Sequence, residues 1–169
     1  MSVAVVDTNV ILVANGQHPD VSPQCVGSCA IALQNIMRQG SLALDDQFQI
    51  LNEYLRKTQP KKGNRPGDAF VKWALNNRSN SRHVDAVPLQ HNDVRGFESF
   101  PDDRELEHFD QSDRKFVAVA GAHPAKPPIL QAADSKWLDW SCALLRHGIS
   151  VDFLCRSDIA RFRKNKSGA

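Results

Sequence analysis

The chain has 169 residues, of which 41% are hydrophobic and 24% are charged, and its formal net charge at pH 7 is +2. This composition is typical of one globular domain and excludes an intrinsically disordered chain. No apolar run approaches the roughly 20 residues that a membrane-spanning helix needs, and the first residues lack the pattern of a secretory signal. We therefore expect a cytoplasmic protein without a membrane partner.

The first half of the chain alternates strand and helix patterns. A β-branched run at 3–6 ends at Asp7 and predicts a central strand. Ser22, Pro23 and Gly40 are suited to the start and end of a helix. The predicted elements are a strand at 3–6, a helix at 22–40, a strand at 41–44, a helix at 45–58 and, after a polar loop, a helix at 68–78.

The second half continues the alternation. Pro88 cannot donate a ladder hydrogen bond, so the strand around it is expected at an edge. Ser112 has the side chain of a helix N-cap, and Gly148 can end a helix. The predicted elements are a strand at 83–89, one short helix at 102–108, a helix at 112–123, a strand at 127–133, a helix at 134–148, a strand at 149–154 and a terminal helix from 157. This alternation predicts a three-layer α/β/α sandwich with a mostly parallel central sheet.

The cysteines do not form the pattern of a zinc site. Cys25 and Cys29 have C-x3-C spacing, but no second close pair of cysteines or histidines completes a ligand set. Free cysteines are commonly core residues, and a reducing compartment keeps them as thiols. The sequence therefore predicts that Cys25, Cys29, Cys142 and Cys155 are plain thiols, buried or half-buried.

Four carboxylates stand where the predicted fold brings them toward one edge of the sheet. Asp7 ends the first strand, and Asp134 directly follows a later strand. Asp113 lies in the first turn of a predicted helix, and Glu53 lies within the second predicted helix. Since sites in open parallel sheets form outside the carboxyl ends of the strands, we expect the four acids to converge on one pocket.

Converging carboxylates repel one another, and a hard divalent cation removes the conflict. Mg²⁺ and Mn²⁺ prefer oxygen ligands, and such a centre can activate water and stabilise charge on a phosphate. Taken singly, each acid has a structural explanation. Asp7 and Asp134 can cap helices or form turns. The helix dipole favours an acid such as Asp113 in the first turn of a helix, and Glu53 can be a solvated surface residue. The prediction of a metal site therefore depends on the joint placement of the four.

The order of these residues resembles the PIN-domain family of metal-dependent nucleases. The resemblance covers residues 3–155 and is carried by the segments VVDTNVIL, QILNEYLRK, FDQSDRKFVAVA and ILQAADSKWL. It implies an α/β/α fold with a parallel sheet and a carboxylate pocket that binds Mg²⁺ or Mn²⁺. Most characterised members of the family cleave RNA, several of them as toxins of bacterial toxin–antitoxin pairs.

Matching these motifs residue by residue gives the expected site. The acids that would bind the metal and carry catalysis are Asp7, Glu53, Asp113 and Asp134. Thr8 and Asn9 match the polar pair that supports the first acid, and we expect one of them to orient Asp7. Asp110 is a further acid, but Asp113 is favoured because it directly precedes the RKF sequence.

The resemblance and the acids together predict an endoribonuclease that hydrolyses phosphodiester bonds at a carboxylate-bound Mg²⁺ or Mn²⁺ centre. The expected organisation is one PIN-like nuclease domain at 1–158 and a basic tail at 159–169. Basic runs at 56–65 and 161–166 suit a phosphate backbone. The expected RNA contacts are Lys61, Lys62, Arg65, Lys115 and Lys136. The resemblance also implies a homodimer and an antitoxin or other operon-encoded partner as candidate assemblies.

Two other classes of protein stay open as alternatives. The first is a catalytically inactive PIN-like module that binds or scaffolds, which stability without response to Mn²⁺ would favour. The second is a phosphatase or receiver-like domain. An enzyme that forms an aspartyl phosphate typically has a D-x-D motif after its first strand, and Asp7-Thr8-Asn9 lacks the second acid.

Overall fold

A computed structural model of the chain describes residues 2–167. Within this range the chain forms seven β-strands and seven α-helices. The strands are β1 Ser2–Val6, β2 Gly40–Asp45, β3 Val84–Val87, β4 His91–Asn92, β5 Gly96–Phe97, β6 Ile129–Gln131 and β7 Val151–Phe153. The helices are α1 Thr8–Ala14, α2 Pro23–Gln39, α3 Gln49–Lys57, α4 Pro66–Asn77, α5 Arg114–Ala122, α6 Lys136–Arg146 and α7 Arg156–Ser167.

Five strands form one parallel sheet in the order β3-β2-β1-β6-β7. Strands β4 and β5 form a separate antiparallel hairpin. The flanking helices make the three-layer α/β/α sandwich, which confirms the predicted fold class. Strand β3 lies at an edge, as Pro88 indicated. The strand order reverses at β1, so the carboxyl ends of β1 and β6 border the crevice where sites form in such sheets.

The central strands are buried because helices cover them. Val5, Val6, Leu42 and Leu44 have no solvent-exposed surface, and near-continuous apolar runs of this kind are typical of parallel sheets covered on both faces. Helices α1, α2 and α4 pack on one another, while α5 packs across β1, β2 and β6. The rigid centre of the molecule therefore holds the strand ends that carry Asp7 and Asp134.

Several element boundaries differ from the sequence predictions. Helix α1 occupies a stretch for which no element was predicted. Helix α3 begins at Gln49, later than expected, because Asp45 still belongs to β2 and its carboxylate accepts hydrogen bonds from the N–H groups of Gln49 and Ile50. Ser112 does not cap α5. It lies inside a 3-10 turn, Gln111–Asp113, and α5 starts directly after that turn. A second 3-10 turn, Arg104–Leu106, replaces the helix expected at 102–108.

The prediction of four plain thiols is wrong for two of the cysteines. Cys25 and Cys155 form a disulfide, with Cα atoms 5.1 Å apart. The two residues are 130 positions apart in sequence, and only the fold brings the first turn of α2 beside the residue before α7. Cys29 is a buried free thiol, as predicted. Cys142 is a free thiol but is exposed, so the prediction that it is buried or half-buried is wrong.

The basic C-terminal segment is continuous with the domain. Helix α7 begins at Arg156 and crosses the expected boundary between residues 158 and 159. Ile159 is buried in the core, and Phe162 packs against it. The last two residues of the predicted tail, 168 and 169, lie outside the described residues. No helix among residues 2–167 is both long and apolar enough to cross a membrane.

Candidate metal centre at the carboxyl edge of the sheet

Asp7 lies directly after β1 and begins helix α1. Its carboxylate accepts a hydrogen bond of 3.0 Å from the backbone N–H of Asn9, which makes it the N-cap of the helix. The Asp7 backbone N–H donates to the carbonyl of Leu130 in β6, at 3.0 Å. The structural explanation of this acid, a helix cap, is therefore correct. It is compatible with a second role, because a cap uses few of the lone pairs that a carboxylate offers.

The environment of Asp7 disfavours its charge. Burial, together with the carboxylates of Asp113 and Asp134, raises the pKa of Asp7 to about 7. The N–H of Asn9 and the side chain of Gln131 lower it. Gln131 is fully buried, and its Nε2 makes no hydrogen bond of normal geometry. A cation bound beside Asp7 would favour its charged form, against the burial and the neighbouring acids that disfavour it.

Glu53 reaches the same region from α3. Its carboxylate accepts hydrogen bonds from the Thr8 hydroxyl and, at 3.1 Å, from the Lys115 ammonium. The prediction that Thr8 or Asn9 orients Asp7 is therefore correct only for the Asn9 backbone, because the Thr8 side chain holds Glu53. Next to Glu53 on α3, the Tyr54 hydroxyl donates to the Val6 carbonyl. Burial and nearby carboxylates raise the pKa of Tyr54 well above its ordinary value, so Tyr54 stays a donor.

Asp113 ends the 3-10 turn that precedes α5 and is half-buried. Burial and the carboxylates of Glu53, Asp134 and Asp110 raise the pKa of Asp113 to about 6, although the Lys115 ammonium lowers it. These electrostatic interactions link Asp113 with two of the other predicted site acids. The structure thus brings the four predicted carboxylates to one edge of the sheet, two of them buried and two half-buried.

Asp134 lies in the loop after β6, where its Oδ1 accepts the backbone N–H of Lys136 at 3.1 Å. The loop is tied to the end of β1 because the N–H of Ala133 donates to Asn9 Oδ1 at 3.1 Å. Asn9 therefore connects the two strand ends that carry Asp7 and Asp134. This contact spans 124 positions of sequence, and it places Asn9 in a supporting role that its position beside Asp7 only suggested.

The four acids form an open arrangement. In the described part of the chain, no three of these carboxylates bring ligand oxygens within 4.8 Å of one another, whereas three cysteine sulfur atoms do. The donor set itself suits a hard cation, because it consists of carboxylate oxygens whose charges repel. Binding of Mg²⁺ or Mn²⁺ would require these side chains to draw together around the ion.

The predicted RNA-binding lysines and arginine fall into two groups. Lys115 and Lys136 lie beside the acids, but Lys115 pairs with Glu53 and Lys136 pairs with Asp110 at 3.4 Å. Arg65 contacts Asp68 at 3.5 Å and the carbonyl of Asn15 at 3.1 Å. Lys115 and Arg65 therefore each make contacts within the fold, and their roles in RNA binding stay predictions.

Lys61 and Lys62 lie in an exposed turn before α4. They keep the exposure that a role in phosphate contact requires. No contact in residues 2–167 joins either of them to the four acids. A role for this turn in RNA binding stays a prediction.

Helix α7 borders the site beside Asp134, a position that was not predicted from the sequence. A groove of about 410 Å³ is bordered by Asp134 on one side and by α7 on the other. Lys166 of α7 reaches across to the Ser135 hydroxyl at 3.3 Å. The residues that line the groove are Asn9, His18, Asp20, Ala133, Asp134, Ser135, Phe162, Asn165 and Lys166. The basic run at 161–166 was the available signal, but nothing in the sequence showed that it returns to the site.

Comparison with known protein families, with curated proteins and with solved structures gives no match for this chain. The functional interpretation therefore depends on the chemistry of the site.

Proposed function

We propose that the chain is a divalent-cation-dependent nuclease of the PIN-domain type that hydrolyses phosphodiester bonds in RNA. The observation that supports this best is the convergence of Asp7, Glu53, Asp113 and Asp134 at the crevice between β1 and β6. The raised pKa values of Asp7 and Asp113 show that their charges are poorly compensated by the protein alone. A divalent cation supplies the missing compensation.

Mg²⁺ or Mn²⁺ fits the donor set because both ions prefer carboxylate oxygens and keep several waters. Asp7, Glu53, Asp113 and Asp134 are the residues that would hold the ion. When bound, such an ion activates water and stabilises the negative charge that develops at a phosphate during hydrolysis.

The surrounding residues hold the acids in place. The Asn9 N–H fixes one oxygen of Asp7, while the Thr8 hydroxyl and the Lys115 ammonium fix both oxygens of Glu53. Since two hydrogen bonds already engage Glu53, we propose that Asp7, Asp113 and Asp134 contribute most of the binding. Glu53 adds negative charge at the inner wall of the site.

RNA is the proposed substrate because the family resemblance implies it and because Asp134, one of the half-buried acids, borders a groove that Lys166 also lines. Lys136 is 58% exposed beside Asp110, and Lys166 lies on the far side of the groove. These ammonium groups would attract a phosphate backbone, and binding would weaken as the salt concentration rises. Cleavage should therefore be strongest at low ionic strength.

The test is a cleavage assay with labelled single-stranded RNA, structured RNA and single-stranded DNA, in Mn²⁺, Mg²⁺ or EDTA. We expect RNA cleavage that EDTA abolishes. We also expect a loss of more than about 100-fold in Asp7→Asn and in Asp134→Asn, because changing a ligand should cost more than the roughly 10–100-fold lost on changing residues that support ligands. Asp93→Asn is the matched control, since the Asp93 side chain is 96% exposed. Cleavage that persists equally in Asp7→Asn would refute the proposal.

A second candidate function is a non-catalytic binding module of the same fold. The open spacing of the acids and the engagement of Glu53 by Lys115 favour it. In that case Mn²⁺ would leave the melting temperature of the wild-type protein unchanged, and RNA would stay intact under every condition. A rise in melting temperature with Mn²⁺ that disappears in Asp7→Asn would instead favour the nuclease.

The biological setting of the proposed nuclease stays a prediction. A cytoplasmic location, a homodimer and an antitoxin or operon partner all follow from the sequence and its resemblance. Size-exclusion chromatography with light scattering measures the oligomeric state directly.

A further inference from the structure

Three cysteine sulfur atoms form a compact cluster on the structure, separate from the carboxylates. The ligand atoms of Cys25, Cys29 and Cys155 all lie within 4.8 Å of one another. Each of these residues is at most 4% exposed. Cys25 and Cys155 form the disulfide, and Cys29 Sγ lies 3.8 Å from Cys155 Sγ.

The fold, more than the sequence spacing, builds this cluster. Cys25 and Cys29 are four residues apart in α2, so their side chains share one face of the helix. Cys155 directly follows Leu154, whose backbone N–H bonds to the end of β6, and directly precedes α7. The third sulfur is therefore presented by a backbone segment anchored to the sheet.

We propose that these three cysteines form a binding site for a thiophilic divalent cation, with Zn²⁺ as the best match, once the Cys25–Cys155 disulfide is reduced. The disulfide and the cation site would then be two alternative ways of linking α2 to the start of α7. The site is distinct from the carboxylate cluster and does not depend on the proposed nuclease function.

The spacing of the sulfur atoms suits tetrahedral coordination. Zinc–sulfur bonds of about 2.3 Å give a separation of about 3.8 Å between two sulfur ligands of a tetrahedron. The Cys29–Cys155 sulfur distance of 3.8 Å equals this value. Breaking the disulfide leaves the Cys25 sulfur free to rotate to a similar distance from both partners.

Solvent can complete the coordination. A cavity of about 610 Å³ is bordered by both disulfide cysteines and by Ser28 and Asp158. The Asp158 carboxylate is already engaged by the N–H and hydroxyl of Ser22 and by Arg161. We therefore assign the fourth position to a water from the cavity, as in three-ligand protein zinc sites.

Conversion of the Cys25–Cys155 disulfide into the cation site requires a reductant, for which a dithiol is suited. A dithiol gives two electrons and two protons to the Cys25–Cys155 disulfide, which becomes two thiols, and the dithiol leaves as its own disulfide. Binding of the cation then releases three protons, one from each thiol.

The test uses the full chain in metal-free buffer, reduced with a phosphine and titrated with Co²⁺ as the spectroscopic probe. We expect one Co²⁺ per chain with thiolate-to-cobalt charge-transfer absorption and the visible bands of tetrahedral geometry, both displaced by Zn²⁺. The unreduced protein should show neither signal. Carboxylate ligands do not produce thiolate charge-transfer absorption. The spectrum therefore distinguishes Co²⁺ bound by the cysteines from Co²⁺ bound at Asp7 and the neighbouring acids.

Two variants locate the ion. Cys29→Ala should weaken binding by more than about 100-fold, since it removes a ligand outright, and circular dichroism checks that it stays folded. Cys142→Ser changes an exposed thiol outside the cluster and should bind like the wild type. The proposal is overturned if the reduced wild type gives no thiolate charge transfer. Unchanged binding in Cys29→Ala, or lost binding in Cys142→Ser, also overturns it.

Discussion

Asp7 is expected to lower the stability of the cation-free protein at neutral and alkaline pH, so Asp7→Asn should stabilise the fold. The pKa of Asp7 is raised from 3.8 to about 7 in the folded chain. The folded state therefore holds a proton that the unfolded state releases as pH rises through this window. The free energy of unfolding therefore falls as the pH rises from the unfolded-state pKa to the folded-state pKa of Asp7, and it does not recover at higher pH.

The size of the expected stabilisation follows from the pKa shift of Asp7. A difference of about 3 pH units, at about 1.4 kcal/mol each, gives an upper limit of about 4 kcal/mol. For a domain of this length, roughly 3 °C per kcal/mol converts this to about 10 °C in melting temperature. Asparagine is as good an N-cap as aspartate, so the hydrogen bond from the Asn9 N–H can be kept.

The assay is urea denaturation of both proteins in EDTA, at about pH 4 and at about pH 8. We expect equal stability at the lower pH and a more stable variant at the higher pH. Asp45→Asn is the matched control, because the Asp45 carboxylate accepts two backbone N–H groups of α3, at 2.8 and 2.9 Å. Loss of its charge should destabilise by about 1–3 kcal/mol. If Asp7→Asn is no more stable than the wild type at the higher pH, or is more stable by the same amount at both pH values, Asp7 is not the destabilising group.

Four further variants probe the surroundings of the site and the packing of the fold. Lys115→Met removes the ammonium that lowers the pKa of Asp113, so ¹³C NMR of the Asp113 carboxyl should show a higher pKa than in the wild type; no change would contradict the assigned electrostatic interaction. Gly67→Ala should destabilise by about 2–3 kcal/mol in urea denaturation, because the new Cβ would lie 2.4 Å from a backbone oxygen. Gly27→Ala, which meets nothing within 4 Å, should instead stabilise α2 by about 0.5–1 kcal/mol. Cys25→Ser should cost the oxidised protein up to about 5 kcal/mol, since the disulfide closes a loop of 130 residues; a reduced wild type as stable as the oxidised one would contradict this.

The sheet could be predicted from the sequence because its strands are short apolar runs between helical patterns. Pro88 identified an edge strand, and strand ends located Asp7 and Asp134. Helix α1 was missed since its sequence, TNVILVA, is rich in residues that favour strands. Burial of Val10, Ile11 and Val13 among neighbouring elements overrides that local preference.

The candidate site was predictable in its acids and less so in its contacts. The acids stand beside features that sequence reveals, such as strand ends and the start of a helix. The partners of Glu53 are 45 and 62 positions away, and no local pattern encodes them. Gln131 is a polar residue in an otherwise apolar strand, and this pattern could have indicated that it lies beside the site. The disulfide and the position of α7 beside Asp134 likewise arise from long-range packing.

Electron paramagnetic resonance measures Mn²⁺ binding to the four carboxylates directly, because free and protein-bound Mn²⁺ give different signals. The experiment compares the wild type with Asp7→Asn and Asp134→Asn at low ionic strength. The account predicts stoichiometric binding to the wild type and a loss of more than about 100-fold in affinity in both variants. Absence of binding to the wild type, or equal binding to all three proteins, would contradict the assignment of a metal centre to these carboxylates.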